Sequence, residues 1–289
     1  MDAEVRRRVG EALGSGVTSC AAVAGGDIND AWRCGLADGR AVFVKTNGRS
    51  AALPGLFAAE AAGLAALRGG ASESGGAVRV PEVLAAGEDF LAIEYIEMSR
   101  ASGGFEERLG QGLAALHRAT RRDDGRVGFE RPTYLGRILQ DNGWMDDAAA
   151  FWRDRRLRPL LDDLTAYPAV VDLGRRLADR LDDILASGER EAVLIHGDLW
   201  TGNAAADGDG GVCLFDPACA YLPREVEFGM TRLFGYGDRF ERAYEEVWPL
   251  PAGWERRVEV YRLHHLLSHL WHFGGGYLGS CQAALQRLV

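Results

Sequence analysis

Three oxygen-bearing side chains stand close together in one stretch of the 289-residue sequence. The apolar run Val193-Leu194-Ile195 leads into His196-Gly197-Asp198-Leu199-Trp200-Thr201-Gly202-Asn203, and a second apolar run, Val212-Cys213-Leu214-Phe215, leads into Asp216. Two short strands would therefore carry a carboxylate, an amide and a second carboxylate on neighbouring loops. Phosphoryl transfer uses such a set: one Asp accepts the proton of an attacking hydroxyl, while Asn and the other Asp hold magnesium on nucleotide phosphates. Asp, Asn and Gly are also ordinary turn formers, so this stretch alone leaves a polar hairpin loop open.

A nucleotide site needs a cation as well, and the composition points to one. Of the 33 basic residues, Lys45 is the only lysine and all others are arginine. An ammonium is a compact point charge and a guanidinium a wide planar fork, so a phosphate site shaped for the first does not freely accept the second. Lys45 ends the apolar run Ala41-Val42-Phe43-Val44. A carboxylate that could hold it, Glu60, falls on the apolar side of a helix expected over residues 54–68 and ended by Gly69-Gly70. Burial there would be costly unless the charge were paired; a partly exposed Glu at the helix seam is the alternative.

The elements that must position these groups follow from periodicity and turn residues. A short amphipathic helix covers residues 1–13, and strands are expected over 17–23, 31–36 and 41–46, the last two joined by the Asp38-Gly39 turn. Gly25-Gly26-Asp27-Ile28-Asn29 lies between the first two strands, and its glycines would let backbone N–H groups approach phosphate oxygens. An ordinary glycine hairpin fits the same residues. Residues 79–84 and 90–96 read as further strands, the second ending at Glu94-Tyr95-Ile96, and residues 98–104 as a linker. Beyond it, helices are expected over 146–164, 167–187, 225–234, 240–247, 254–273 and 277–288, with another starting at Phe105 and an irregular segment over 128–142. The expected organisation is α+β: a small antiparallel-sheet lobe over residues 1–97, a mainly helical lobe over 98–289, and a ligand cleft between them.

Charge and cysteine usage narrow the partners. A formal charge of −9 argues against nucleic acid, whose phosphates call for a basic face. The sequence has no apolar run of membrane-spanning length and no apolar segment at its start, so a cytoplasmic location without membrane association is expected. Five cysteines without a C-x-x-C pair indicate reduced thiols rather than a disulfide framework or zinc site. His264, His265, His269 and His272 share one expected helix, but no H-E-x-x-H accompanies them, and packing or substrate hydrogen bonding is the favoured role. His117 reads as structural.

Taken in order, the glycine turn, Lys45, Glu60, the 94–96 strand end and the Asp198/Asn203/Asp216 set resemble a protein-kinase-like fold, with Gly197 in place of the Arg usual in the kinase catalytic loop. Within that superfamily the chain resembles the fructosamine-3-kinase (ketosamine kinase) family along nearly its whole length. The similarity is carried by Phe43-Val44-Lys45-Thr46-Asn47, Phe57-Ala58-Ala59-Glu60-Ala61, the His196 to Asn203 segment with Trp200, Phe215-Asp216-Pro217-Ala218-Cys219, and Phe273-Gly274-Gly275-Gly276-Tyr277-Leu278.

The resemblance implies ATP- and Mg²⁺-dependent phosphorylation of the 3-hydroxyl of a ketoamine, the Amadori product of a sugar and an amine; a monomer or weak homodimer is expected. It implies Asp198 as the base, Asn203 and Asp216 as magnesium ligands, and Lys45 on the α and β phosphates. Gly25, Gly26, Ile28 and Asn29 would cover the phosphates and Glu94, Tyr95 and Ile96 would meet adenine. Trp200 and His269 are candidate substrate contacts, with a core role open for Trp200. Two other readings remain at this point: a kinase for an aminoglycoside, choline or similar amine alcohol, and a nucleotide-binding pseudokinase.

Overall fold

The computed structural model describes residues 1–23, 29–47, 53–101, 103–188 and 191–289. Helix α1 (Ala3–Ala12), capped by the Asp2 side chain on the amide of Glu4, packs against a sheet built from β1 (Val17–Val23), β2 (Asn29–Leu36) and β3 (Ala41–Asn47). Helix α2 (Leu56–Glu73) follows, then β4 (Val83–Ala86) and β5 (Phe90–Glu94), which complete an antiparallel sheet of order β1-β2-β3-β5-β4.

Strand alternation decides what this sheet offers to each side. Val42 and Val44 of β3 point into a small core with Val9, Cys34, Leu36, Phe90 and Ala92. Phe43 and Lys45 therefore face the other way, into a cleft. Leu91 and Ile93 of β5 also leave the small core and join the large one that runs through the rest of the molecule.

After the sheet come the two-residue strand β6 (Met98–Ser99) and helix α3 (Phe105–Ala119). A hairpin of β7 (Thr133–Leu135) and β8 (Ile138–Gln140) occupies the segment expected to be irregular. Then come α4 (Ala148–Trp152), a π-helical turn over Arg153–Leu157, α5 (Arg158–Asp163), α6 (Pro168–Ala178) and α7 (Leu181–Leu185). Strands β9 (Val193–Ile195), β10 (Ala204–Asp207), β11 (Val212–Leu214) and β12 (Ala220–Leu222) carry the polar stretch, and α8 (Glu227–Phe234), α9 (Asp238–Val247), α10 (Trp254–Phe273) and α11 (Leu278–Leu288) close the fold. Among the described residues no helix is long and apolar enough to cross a membrane.

Several expected boundaries move: the strand expected over 79–84 lies at Val83–Ala86, the one over 90–96 stops at Glu94, the helix over 146–164 divides into α4, a π-helical turn and α5, and the helix over 167–187 divides into α6 and α7. Helix α2 does not stop at Gly69-Gly70 but continues to Glu73, because Gly70 gives the Thr120 methyl group room: a Cβ there would lie 2.4 Å from it. The linker over 98–104 is in part structured, since Met98 and Ser99 pair with Asp207 and Ala206 of β10 and attach the end of the first lobe to the strand behind Asn203.

Candidate active site

The catalytic-type loop is held from below. The buried Glu227 carboxylate, at the start of α8, accepts the backbone N–H of His196 at 2.6 Å and of Gly197 at 3.0 Å. Burial would raise its pKa, but hydrogen bonding from the His117 side chain and the His196 backbone helps to lower it and keep it ionised. Gly197 has φ +81°, and a Cβ on it would lie 2.3 Å from the Ala218 carbonyl oxygen, so a side chain there is excluded by both torsion and space.

His196 ties this loop to the strand that carries Asp216. Its Nε2 donates to the Phe215 carbonyl at 2.9 Å, and its Nδ1 accepts the Asp198 N–H at 3.3 Å. Burial lowers its pKa and keeps the ring neutral, in keeping with one donating and one accepting nitrogen. The Asn203 Nδ2 group donates to the Asp198 carbonyl at 2.8 Å and to Asp198 Oδ2 at 3.1 Å, so Asn203 Oδ1 is left as an oxygen donor. Asp216 is the one described non-glycine residue with positive φ, 58°. Such a torsion costs of order 1–3 kcal/mol for a residue with a side chain and persists where surrounding contacts enforce it.

Lys45 reaches this set from the first lobe. Its Nζ, on a residue only 8% exposed, donates to Glu60 Oε1 at 2.6 Å and to Asp216 Oδ1 at 2.5 Å. Burial alone would lower the ammonium's pKa, but Asp216 and Glu60 together outweigh it and raise it, so the cation is retained. Helix α2 can deliver Glu60 because Gly63 lets it approach the Asp216 loop: a Cβ at Gly63 would lie 3.1 Å from Pro217 and 3.4 Å from the Cys219 sulfur. Asp198 is affected in the opposite sense to an ordinary carboxylate. Burial, and then the negative charge of Asp216, push its pKa well above the usual range, against the Asn203 hydrogen bond.

These groups line a cleft of about 1230 Å³ between the sheet and the helical lobe. Asn29, Lys45, Glu60, Glu94, Tyr95 and Ile96 border it from the first lobe, and Asp198, Trp200, Asn203, Asp216 and His269 from the second. Gly25, Gly26 and Ile28 lie outside the described residues. The Glu94 carboxylate is engaged by Arg79 at 2.6 Å, and its backbone N–H donates to the Glu82 carbonyl at 2.8 Å. The strand pairing of β5 stops at Glu94, so the backbone of Tyr95 and Ile96 is paired with no neighbouring strand among the described residues. Trp200 is not a core residue: it is 39% exposed in the cleft wall.

The four helix histidines diverge. His264 packs against Trp152 and meets Gln140, His265 is buried, and His269 and His272 reach the cleft. Among the described residues no group of His, Cys, Asp and Glu side chains forms a metal cluster of three or more. The five cysteines are free, with Cys20 and Cys34 facing each other across β1 and β2. His117 is buried, with Nδ1 at 2.9 Å from the Tyr244 hydroxyl, as a structural residue would be. Sequence reasoning missed Glu227. The signal available was the pair of acids in Glu225-Val226-Glu227 at the head of an apolar helix, where one carboxylate or the other had to find buried partners.

A sheet lobe over a helical lobe, with a buried lysine–glutamate pair on one wall and Asp198, Asn203 and Asp216 on the other, defines a protein-kinase-like phosphotransferase. The family model described as "Fructosamine kinase" matches residues 1–289. "Protein-ribulosamine 3-kinase, chloroplastic" of Oryza sativa subsp. indica is 36% identical over 277 residues, covering 93% of this chain and 78% of that protein. "Probable ketoamine kinase" of Staphylococcus aureus is 34% identical over 284 residues, covering 92% of each. The crystal structure named for a "putative fructosamine-3-kinase" from Thermobifida fusca superposes with a TM-score of 0.86 at 33% identity, over 98% of both chains. An aminoglycoside phosphotransferase, APH(4)-Ia, shares the fold alone, with a TM-score of 0.60 at 17% identity over 98% of this chain and 96% of that one. The chain belongs to the fructosamine kinase family, and it is an ATP-dependent phosphotransferase acting on a hydroxyl group.

Proposed function

We propose that this enzyme is a ketosamine 3-kinase, transferring the γ-phosphoryl group of ATP to the 3-hydroxyl of a ribulosamine- or fructosamine-type Amadori product. The 3-phosphate is then a leaving group that eliminates spontaneously and frees the amine, a deglycation step. The observation that carries the reading is the Lys45 ammonium in contact with both Glu60 and Asp216, in the cleft shared by Asp198 and Asn203.

Each residue has a distinct part. Asp198, which lines the cleft and is held by the Asn203 side chain, takes the proton of the 3-hydroxyl. Asn203 Oδ1 and the Asp216 carboxylate are hard oxygen donors, as Mg²⁺ requires, and would hold it with the help of phosphate oxygens. When bound there, Mg²⁺ would supply neutralisation of phosphate charge. Lys45, fixed by Glu60, binds the α and β phosphates, and Gly25, Gly26, Ile28 and Asn29 cover them. The unpaired backbone of Tyr95 and Ile96, following Glu94, receives the adenine edge. Trp200 offers a ring face to the sugar. Pre-positioning and charge neutralisation are the levers such a site has.

The division into residues 1–97 and 98–289, a cytoplasmic location, and action as a monomer or weak homodimer without nucleic-acid or membrane partners belong to the same proposal. An aminoglycoside- or choline-type substrate is not favoured, because the likeness to aminoglycoside phosphotransferases extends to fold alone. A pseudokinase is not favoured with Lys45, Asp198, Asn203 and Asp216 all present. Incubation with Mg-ATP and, separately, a ribulosamine, a fructosamine and kanamycin tests the proposal. Phosphate should pass to a ketosamine and not to kanamycin; transfer to kanamycin alone, or to none, overturns it.

A further inference from the structure

A ketosamine carries its amine on C1, two carbon–carbon bonds from the C3 that bears the reacting hydroxyl. At neutral pH that nitrogen is protonated, so a cation must sit beside the catalytic loop whenever the hydroxyl faces Asp198. The cleft's carboxylates are Glu60, Glu94, Glu97, Asp198 and Asp216, and none of them comes from α8, α10 or the turn before α11. Those elements instead bring four rings together. His269 stands 4.7 Å from Phe234, 5.1 Å from Tyr277 and 5.5 Å from Phe273, centroid to centroid, and Phe273 and Tyr277 are 6.1 Å apart.

This cluster is attached to the loop that holds Asp198. The Phe234 carbonyl accepts the backbone N–H of Thr201 at 3.4 Å, and the Tyr236 hydroxyl donates to the Trp200 carbonyl at 3.1 Å. Phe273 is 60% exposed and Phe234 36% exposed, an uncommon state for large apolar rings grouped in a cleft mouth.

Hydrogen bonding fixes what His269 can do. Its Nδ1 lies 2.7 Å from the His265 carbonyl, which can only accept, so Nδ1 carries the hydrogen. Burial lowers the pKa and keeps the ring neutral, which makes Nε2 a lone-pair acceptor, and among the described residues it has no partner. The neighbouring His272 differs: its Nδ1 donates to Ser268 and its Nε2 already accepts the Arg137 N–H at 3.0 Å. His269 is thus an acceptor held open among aromatic faces, the combination that suits an ammonium with an N–H to give.

We propose that Phe234, His269, Phe273 and Tyr277 form the subsite for the substrate's protonated amine, with His269 Nε2 accepting its N–H, and that this subsite selects cationic ketosamines over neutral ones. The inference rests on the ketosamine reading above. The exposed Phe273 edge leaves the amine's substituent pointing out of the cleft, so an amine on a larger body is accommodated.

The test compares two acceptors with the same sugar: a fructosamine with a basic nitrogen, and its N-acylated analogue, whose amide is neutral. Phe273→Leu and Tyr277→Leu, which keep apolar bulk but remove the ring face, should each lower kcat/KM for the basic acceptor about tenfold through KM, with the neutral analogue changed less than about twofold. His269→Leu should do the same, and all three should bind nucleotide as the wild type does. Equal losses on both acceptors, or no loss on the basic one, overturn the subsite. A wild-type protein that phosphorylates no ketosamine overturns the activity reading and the subsite with it, an outcome distinct from the first two.

Discussion

Lys45 Nζ and Asp216 Oδ1 are 2.5 Å apart although the residues are separated by 171 positions in the chain. The contact joins the two lobes at the point where Glu60 also meets the ammonium, and it brings the chain's only lysine to the strand end that carries the strained Asp216 backbone.

Replacement of Lys45 by Arg tests whether a compact cation is needed. The site between Glu60 and Asp216 is buried and shaped around one nitrogen, so the planar guanidinium cannot keep both contacts and still present a charge to phosphate. Lys45→Arg should lower kcat/KM for ATP by at least about tenfold, as judged by steady-state kinetics. Wild-type turnover in this variant would dispose of the lysine argument.

Asp198→Asn removes the proton acceptor while keeping size and the Asn203 contact partner. The expected loss in kcat is about 10²- to 10⁴-fold, the usual range for a positioned general base, with nucleotide affinity by calorimetry little changed. A parallel loss of nucleotide binding would assign Asp198 to holding the loop rather than to proton transfer.

Glu227→Gln leaves one carbonyl oxygen where a charged carboxylate accepted two backbone N–H groups. Hydrogen bonds to a charged group contribute about 1.5–3 kcal/mol, so the melting temperature should fall clearly and kcat with it as the 196–198 backbone loosens. Unchanged melting and turnover would show that the loop is held by other contacts.

Acid should destabilise the fold through its buried histidines. Burial keeps His264 well below the ordinary value and takes His265 down to about 3. The unfolded chain then takes up these protons first, so stability is full above the ordinary histidine pKa and falls as pH drops below it. The slope is at most about 1.4 kcal/mol per pH unit for each ring. Melting temperatures measured between about pH 7.5 and about pH 5.5 should show this decline, and His265→Leu should flatten it. An identical slope in the variant would remove His265 from the explanation.

Much of the fold was legible because local rules and tertiary demands agreed. The Asp38-Gly39 turn and the alternation through Val42, Phe43, Val44 and Lys45 each allow one arrangement. What was not legible depended on partners remote in sequence. Gly69-Gly70 reads as a helix stop, yet α2 passes through because Thr120 packs where a side chain would be. Met98 and Ser99 read as linker because their strand partner lies more than a hundred residues on. The position of Lys45 follows from strand alternation and those of Asp198, Asn203 and Asp216 from strand ends, whereas the Glu227 contacts and the grouping of His269 with Phe234 and Tyr277 arise only when α8, α10 and the turn before α11 converge.

The most direct test is the structure of a complex with a non-hydrolysable ATP analogue and Mn²⁺, with the metal located by its anomalous signal. Mn²⁺ should be bound by Asn203 Oδ1 and the Asp216 carboxylate, and Lys45 Nζ should have exchanged its contact with Asp216 for phosphate oxygens while keeping Glu60. A metal bound away from Asn203 and Asp216, or phosphates beyond the reach of Lys45, would contradict the account.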